Sequence, residues 1–500
     1  MSRASALLKN LLITVHRWMG VFFCVLFSTW FASGMAMMYW DYPEVLAQDR
    51  LRRESALDTL QIKVSPQDAY AKLDMSEPPD ATRLVTFDGR PAYRFRAGNE
   101  ESIVYADSGQ RQNGCPPELS LRIASAWSGQ PPAAAAVAIN TEEDQWTVAE
   151  EFRDLGPLRK YSWPSGEQVY VSTVTCDVAQ FTTRASRLGA YLGPIPHWLY
   201  FTPLRRRGNT WSGVVIWASG LATVVAILGL AVGALMYSPS KRYQPQEAPS
   251  AIPYVGQKRW HMILGLTFGT LACTWAFSGM LSMDPFPALQ SGDSEVGGMD
   301  LAEALQGTPA TLTAFSAKLP QEALAEIRSN FRAAELELTS VMGEPVYVAR
   351  DAQNQTLIVP VAGEPKAEFD RQSILDTLRR AARPYEVTQV RVVNQYEAYY
   401  LDRHNALPLP VIFVQFNDTE RSMYYVDPKT ASIVEGYNSH SRWNRWLYHG
   451  LHSMNVPWLY KYRTAWDILV LALLAGGFSL CVTSLVLAWR AVCRKLARTP

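Results

Sequence analysis

Residues 258–280 read KRWHMILGLTFGTLACTWAFSGM: two cations, then a histidine at the edge of an apolar run that continues to Met280. Residues 14–35 read TVHRWMGVFFCVLFSTWFASGM and repeat the same design. His16, Gly20, Trp30 and Ser33-Gly34-Met35 recur as His261, Gly265, Trp275 and Ser278-Gly279-Met280, each 245 positions later. An imidazole that recurs at the end of an apolar run needs a reason that operates twice.

Four stretches lack any charged side chain: Met19 to Trp40, Gly208 to Ser240, Met262 to Met283 and Ile468 to Trp489. Each holds at least 22 residues. At 1.5 Å of rise per residue, such a helix crosses the roughly 30 Å hydrocarbon core of a bilayer. The net charge of +1 implies neither nucleic acid nor an acidic partner. The expected fold class is therefore an α-helical membrane protein with four transmembrane helices, internally duplicated, carrying two periplasmic α+β domains.

Lys and Arg set the orientation. Arg3 and Lys9 precede the first span, Lys241, Arg242, Lys258 and Arg259 lie between the second and third, and Arg490, Arg494 and Lys495 follow the fourth. This excess places the three short segments in the cytoplasm, and the long segments 42–207 and 284–467 outside. The first run is long and lacks a small-residue cleavage site, so it reads as a retained anchor. The expected order is transmembrane helix 11–41, outer domain 42–195, approach and helix 196–238, and cytoplasmic loop 239–259. Then follow helix 260–284, outer domain 285–440, approach and helix 441–490, and tail 491–500.

A second duplication has an offset of 255: Tyr170 with Tyr425, Thr175 with Thr430, Ser186-Arg187 with Ser441-Arg442, His197 with His452 and Trp211 with Trp466. Span, outer domain, span is thus written twice, and an even number of spans per unit relates the copies by an axis along the membrane normal. Within the outer segments, SPQDAYAKL starts a helix. PAYRFRAGNEESIVYADSGQ reads as two strands about a Gly-Asn turn, and PVYVARDAQNQTLIVPVAGEP matches it in kind. Two small α+β units per segment are expected, with GQPPAAAAVAINTEED as a connector. Cys115 and Cys176 share the first outer segment and could pair in an oxidising compartment.

Of seven histidines, His16 and His261 lie at the cytoplasmic ends of spans one and three, and His197 and His452 on the outer approaches to spans two and four. The axis can bring each pair face to face. Two opposed imidazoles suit a six-coordinate b-type haem, whose porphyrin supplies four further nitrogens, whereas structural zinc needs four protein ligands. Arg17, Lys258 and Arg259 could pair with propionates, and Gly20 and Gly265, one helical turn on, leave room for a flat ring. The bland alternative is an interfacial side chain among belt Trp and Arg; duplication at two levels favours haem b, two per chain. His449 precedes His452 by one turn, but its first-unit counterpart is Pro194, so symmetry favours His452 as the iron ligand.

The stretches VHRWMG, KRWHMILG, YYVDPKTASIVEGY and SRWNRWLYHGLHSMNVPWLY resemble the PepSY-associated transmembrane family, which includes iron-uptake membrane proteins and inner-membrane ferrisiderophore reductases. The resemblance implies a bacterial inner-membrane protein with PepSY domains in the periplasm, b-type haem on the transmembrane histidines, and a ferric siderophore as acceptor. Thr173 stands where the second unit has the turn residue Pro428, and GPIPHWLY lacks the first histidine of YHGLH. No Gly-x-Gly-x-x-Gly follows a strand, so electrons are expected from membrane quinol or a separate reductase. Two alternatives stand beside this. One is a PepSY sensor, assembly factor or peptidase regulator without redox chemistry. The other is a transporter, which the absence of carboxylate or lysine within the spans disfavours.

Overall fold

The structure, a computed structural model, describes residues 3–73, 75, 77–98, 100–140, 142–286 and 295–497. Asn99 of the expected Gly-Asn turn lies outside them. The chain divides into two compact units, one of Met1–Tyr42, Ala185–Gln290 and His440–Pro500, the other of Pro43–Arg184 and Ser291–Ser439.

Among the described residues, the first unit holds four helices long and apolar enough to cross a membrane: Arg3–Met37, Gly208–Met236, Gly256–Leu281 and Arg463–Leu496. They are apolar around most of their circumference, as expected of helices whose outer surface meets lipid rather than water. Each packs on its neighbour in sequence and the fourth closes against the first, so the first and third face each other across a ring of four. Phe31, Ala272, Trp466, Val470, Leu474 and Cys481 fill its middle. Close approach is permitted by small residues: a Cβ on Gly477 would lie 2.1 Å from the Phe31 ring. Short helices at Pro194–His197, Thr202–Arg205 and Pro457–Tyr460, and a π-helical turn at Arg445–Gly450, lead the chain into the second and fourth long helices. Cation–aromatic pairs mark these approaches, Arg205 over Tyr200 and Trp211, and Arg463 over Tyr460 and Trp466. Such residues suit a polar–apolar boundary.

Among the described residues, the second unit holds three antiparallel sheets. Strands β1 (Ala81–Phe87), β2 (Arg90–Ala97), β3 (Glu100–Tyr105) and β4 (Arg111–Gln112) come from the first half of the chain. Strands β9 (Ala333–Val341), β10 (Glu344–Asp351) and β11 (Thr356–Pro360) come from the second. They merge into one sheet of order β11-β10-β9-β1-β2-β3-β4, with Thr82 opposite Leu338 and Leu84 opposite Leu336 at the seam. The helix at Pro66–Tyr70 begins where SPQDAYAKL predicts it, Ser65 Oγ accepting from the Asp68 amide. It and Pro320–Ile327 cover one face of this sheet, burying Leu84, Tyr93, Leu336 and Tyr347.

The opposite face is shared between two further clusters. In the first half, helix Pro117–Ser128 lies over a sheet of β5 (Ala136–Asn140), β6 (Leu158–Ser162), β7 (Gln168–Ser172) and β8 (Val178–Thr182). In the second half, helix Arg371–Ala381 lies over β12 (Val387–Val393), β13 (Val411–Phe416), β14 (Met423–Asp427) and β15 (Ser432–Tyr437). Two α+β pieces per segment are thus present, but the first piece of each joins its counterpart. The Ala-rich stretch expected as a connector supplies the edge strand β5, because its Val137 and Ile139 alternate and pair with Tyr161 and Arg159.

Cys115 and Cys176 form a disulfide. Beside it the buried Arg94 joins Asp177 and Glu101, at 2.5 and 2.6 Å, across the boundary between two sheets. Both charges of the Arg94–Asp177 pair are held in their ionised forms by each other, against the burial that opposes it.

Candidate functional site

The four duplicated histidines meet in two pairs. His16 on the first long helix faces His261 on the third, with ring centres 6.4 Å apart and planes tilted by 32°. His197 and His452, from the two short approaches, face each other at 5.9 Å and 72°. Two imidazoles on opposite sides of one metal, each bound at about 2 Å with its ring centre about 1 Å beyond the nitrogen, have centres roughly 6 Å apart. Both pairs have that spacing.

In every case Nδ1 is engaged from behind. His16 Nδ1 lies 3.2 Å from the Val225 carbonyl, and His261 Nδ1 lies 3.1 Å from Thr483 Oγ1 and 3.4 Å from Ser484 Oγ. His197 Nδ1 contacts Ser33 Oγ at 3.1 Å and the Trp30 carbonyl at 3.2 Å. His452 Nδ1 contacts Ser278 Oγ at 3.0 Å, and the ring also has a backbone hydrogen bond to Trp275. Outer partners of this kind orient a ligating imidazole and leave Nε2 for the metal. Burial, then the neighbouring His452, pushes the His197 imidazole down to about 3. Burial likewise takes His452 down to about 4, so both rings are neutral and able to ligate.

Glycines make room for the rings. The Cα of Gly229 faces His16 so closely that a Cβ there would lie 2.7 Å from Cε1. A Cβ on Gly34 or Gly279, from the repeated Ser-Gly-Met, would likewise lie 3.6 Å from His197 Cε1 and 3.4 Å from His452 Cε1, respectively.

A cavity of about 680 Å³ surrounds the His16–His261 pair. Gly20 and Gly265 line it, as does a floor of Phe27, Phe31 and Ala272. At its other end stand Arg17, Lys258, Arg494 and Lys495. Its size is ample for a planar cofactor, and its lining is apolar with cations at one end, which fits a macrocycle bearing carboxylates. Among the described residues no three His, Cys, Asp or Glu side chains gather as a site for a bare ion. A group that brings its own equatorial ligands is what two imidazoles alone can hold.

Arg259 turns away to donate to Ser250 Oγ at 3.1 Å, whereas the expected Arg17 and Lys258 line the cavity, joined by Arg494 and Lys495. His449 sits on the π-helical turn with its ring 4.6 Å from Tyr448, whose own ring is 5.6 Å from His452, and it is His452 that meets His197. His449 is partly exposed and adjoins the pair rather than completing it. Val225, Gly229, Thr483 and Ser484 were missed. Ser33 and Ser278 carried a signal, since they repeat with the histidines. The positions 255 before Thr483 and Ser484 are Leu228 and Gly229, so duplication could not point to them.

Compared with known proteins, the chain matches no family model and no curated protein.

Proposed function

We propose that the protein is a di-haem b electron-transfer protein of the bacterial inner membrane, which reduces a ferric siderophore on the periplasmic side and so releases iron. The observation that carries this reading is the meeting of both duplicated histidine pairs at the spacing of two axial ligands, every Nδ1 being engaged elsewhere. Haem at each pair would supply a one-electron carrier.

His16 and His261 hold the cytoplasmic site, with Arg17, Lys258, Arg494 and Lys495 available to propionates. His197 and His452 hold the periplasmic site. The spacing from His16 to Ser33, which contacts His197, is 17 residues, as is that from His261 to Ser278. At the rise of an α-helix the two levels are roughly 25 Å apart, less than the thickness of the membrane. The long helices keep water from the path, because their interior is Phe, Trp, Ala and Leu. Electrons would enter from membrane quinol or a separate reductase and leave toward PepSY-like domains that position the acceptor. Hard oxygen donors of a siderophore favour Fe(III), so reduction loosens the chelate.

The test is a reduced-minus-oxidised spectrum and haem count on purified protein, followed by proteoliposomes given an impermeant ferric chelate. Two haems per chain and chelate-dependent reoxidation are expected, the latter abolished by His452→Ala and only weakened by His449→Ala. A protein without haem, or reduced haem that no ferric chelate oxidises, would transfer the reading to a PepSY sensor or peptidase-regulating protein.

A further inference from the structure

A serine or threonine hydroxyl has one hydrogen, a carbonyl has none, and this restricts how the four imidazoles can be protonated. His16 and His197 each have Nδ1 against a backbone carbonyl, of Val225 and Trp30 respectively, and the His452 ring has a backbone hydrogen bond to Trp275. A carbonyl only accepts, so His16 and His197 must carry their hydrogen on Nδ1, and Nε2 keeps the lone pair. At His452 the Ser278 hydroxyl, 3.2 Å from the Trp275 carbonyl, turns a lone pair to Nδ1 with the same result.

His261 differs. Among the described residues its Nδ1 is met by hydroxyls alone, Thr483 Oγ1 at 3.1 Å and Ser484 Oγ at 3.4 Å. Both hydroxyls also lie within reach of the Leu480 carbonyl, at 2.7 and 3.0 Å. That carbonyl takes the hydroxyl hydrogens, leaving oxygen lone pairs toward the imidazole, and the ring must again donate from Nδ1. Here the tautomer rests on two side chains rather than on the backbone. Their counterparts in the first half, Leu228 and Gly229, have no hydroxyl. The duplication is therefore broken at one of four ligands.

We propose that Thr483 and Ser484 are positioning residues that hold His261 with its hydrogen on Nδ1 and Nε2 bare toward His16. The inference rests on the haem reading of that pair. Removing both hydroxyls frees the imidazole to turn or to change tautomer, and deprives it of an acceptor that raises its basicity as a ligand. Loss of an outer partner typically weakens metal-site occupancy by roughly 10- to 100-fold. A less basic imidazole stabilises the ferric state less, so the midpoint of that haem moves to more positive potential.

The experiment compares wild type, Thr483→Val with Ser484→Ala, Thr483→Ser, and Ser33→Ala with Ser278→Ala. Haem is counted per chain, retention against apomyoglobin is followed, and midpoints are taken by spectroelectrochemistry, with the low-spin ferric signals recorded by electron paramagnetic resonance. The first double variant should lose the cytoplasmic-side haem roughly 10- to 100-fold faster, or hold it at a raised potential with a shifted ferric signal. The other haem should be unaltered in that same sample, which also reports that the bundle is intact. Thr483→Ser should behave as wild type, and the Ser33/Ser278 pair should lose neither haem. If the first double variant does not assemble, Thr483→Val and Ser484→Ala are measured singly, each for a smaller shift at the same haem. Unchanged retention, potential and ferric signal in these variants would overturn the inference while leaving the haem reading intact. So would an equal effect of the Ser33/Ser278 pair. A wild type without haem overturns both.

Discussion

Replacing Gly229 by Ala should empty or distort the His16–His261 site while the helix that carries it survives. On its own, alanine favours a helix over glycine by about 1 kcal/mol, so Gly208–Met236 gains rather than loses. The added methyl, however, would lie 2.7 Å from His16 Cε1 and 3.3 Å from Nδ1. The side chain, not the backbone, has to give way, because its ring is the movable end. As the ring turns, its contact with the Val225 carbonyl at 3.2 Å is lost and the face-to-face arrangement with His261 with it. Overpacking of this kind costs about 1–3 kcal/mol. On the proposed haem reading, that lowers affinity for the cofactor at the pair by roughly 5- to 150-fold. The assay is a haem count with the reduced-minus-oxidised spectrum, set beside Gly213→Ala on the same helix, where a Cβ meets nothing within 4 Å. Two haems with wild-type spectra in Gly229→Ala would refute the seating of His16 against this helix, or its part in ligation.

Other expectations concern the polar unit. Cys115 and Cys176 should resist alkylation until reduced, and Cys115→Ser with Cys176→Ser should lower stability by about 4 kcal/mol, from closure of a loop with a sequence separation of 61; equal thermal midpoints would contradict this. Truncating Asp177 to Ala leaves the buried Arg94 charge with Glu101 alone and should cost up to about 3 kcal/mol, read in a denaturant titration. Glu54 has a buried oxygen without a hydrogen-bond partner, and its pKa is raised to about 7 by burial first, then by Glu335, against the opposing pull of Arg94 and Arg83. A carboxyl raised in the folded state contributes stability that is complete below its ordinary value of 4.5 and is lost as pH climbs to about 7. Glu54→Gln should flatten that decline in thermal midpoints measured across the interval, and an unchanged slope would show that Glu54 stays ionised.

Much of the bundle was legible because its signals are local and repeated. Long uncharged runs mark the helices, and duplicated His16/His261 and His197/His452 foretold which imidazoles would meet, since a pseudo-twofold axis pairs equivalent positions. The partners behind them were hidden for the opposite reason. Thr483 and Ser484 are ordinary hydroxyls in an apolar helix, where most bond back to their own backbone, and nothing in the repeat distinguishes the two that face a ring. Arg259 and Lys258 are neighbours in sequence yet point to different surroundings, a consequence of the 100° turn between successive helical residues that composition cannot resolve. The sharing of one sheet by both halves was equally invisible: β1 and β9 alternate as any half-buried strand would, and alternation does not name the partner.

That shared seam sets a timetable for biogenesis. Strand β1 ends at Phe87 and its partner β9 begins at Ala333, with two of the long apolar helices between them in the sequence. At ordinary rates of synthesis the second strand emerges roughly 10–50 s after the first. Through that interval the first half presents an unpaired strand edge, together with a sheet face only part of whose cover exists, Pro66–Tyr70 being made and Pro320–Ile327 not yet. An exposed edge of this length is a template for wrong pairing, so the newly made first half needs an escort that shields β1 and releases it when β9 arrives. A chain truncated after its second long helix should then be found bound to chaperones or degraded, not folded as half a molecule.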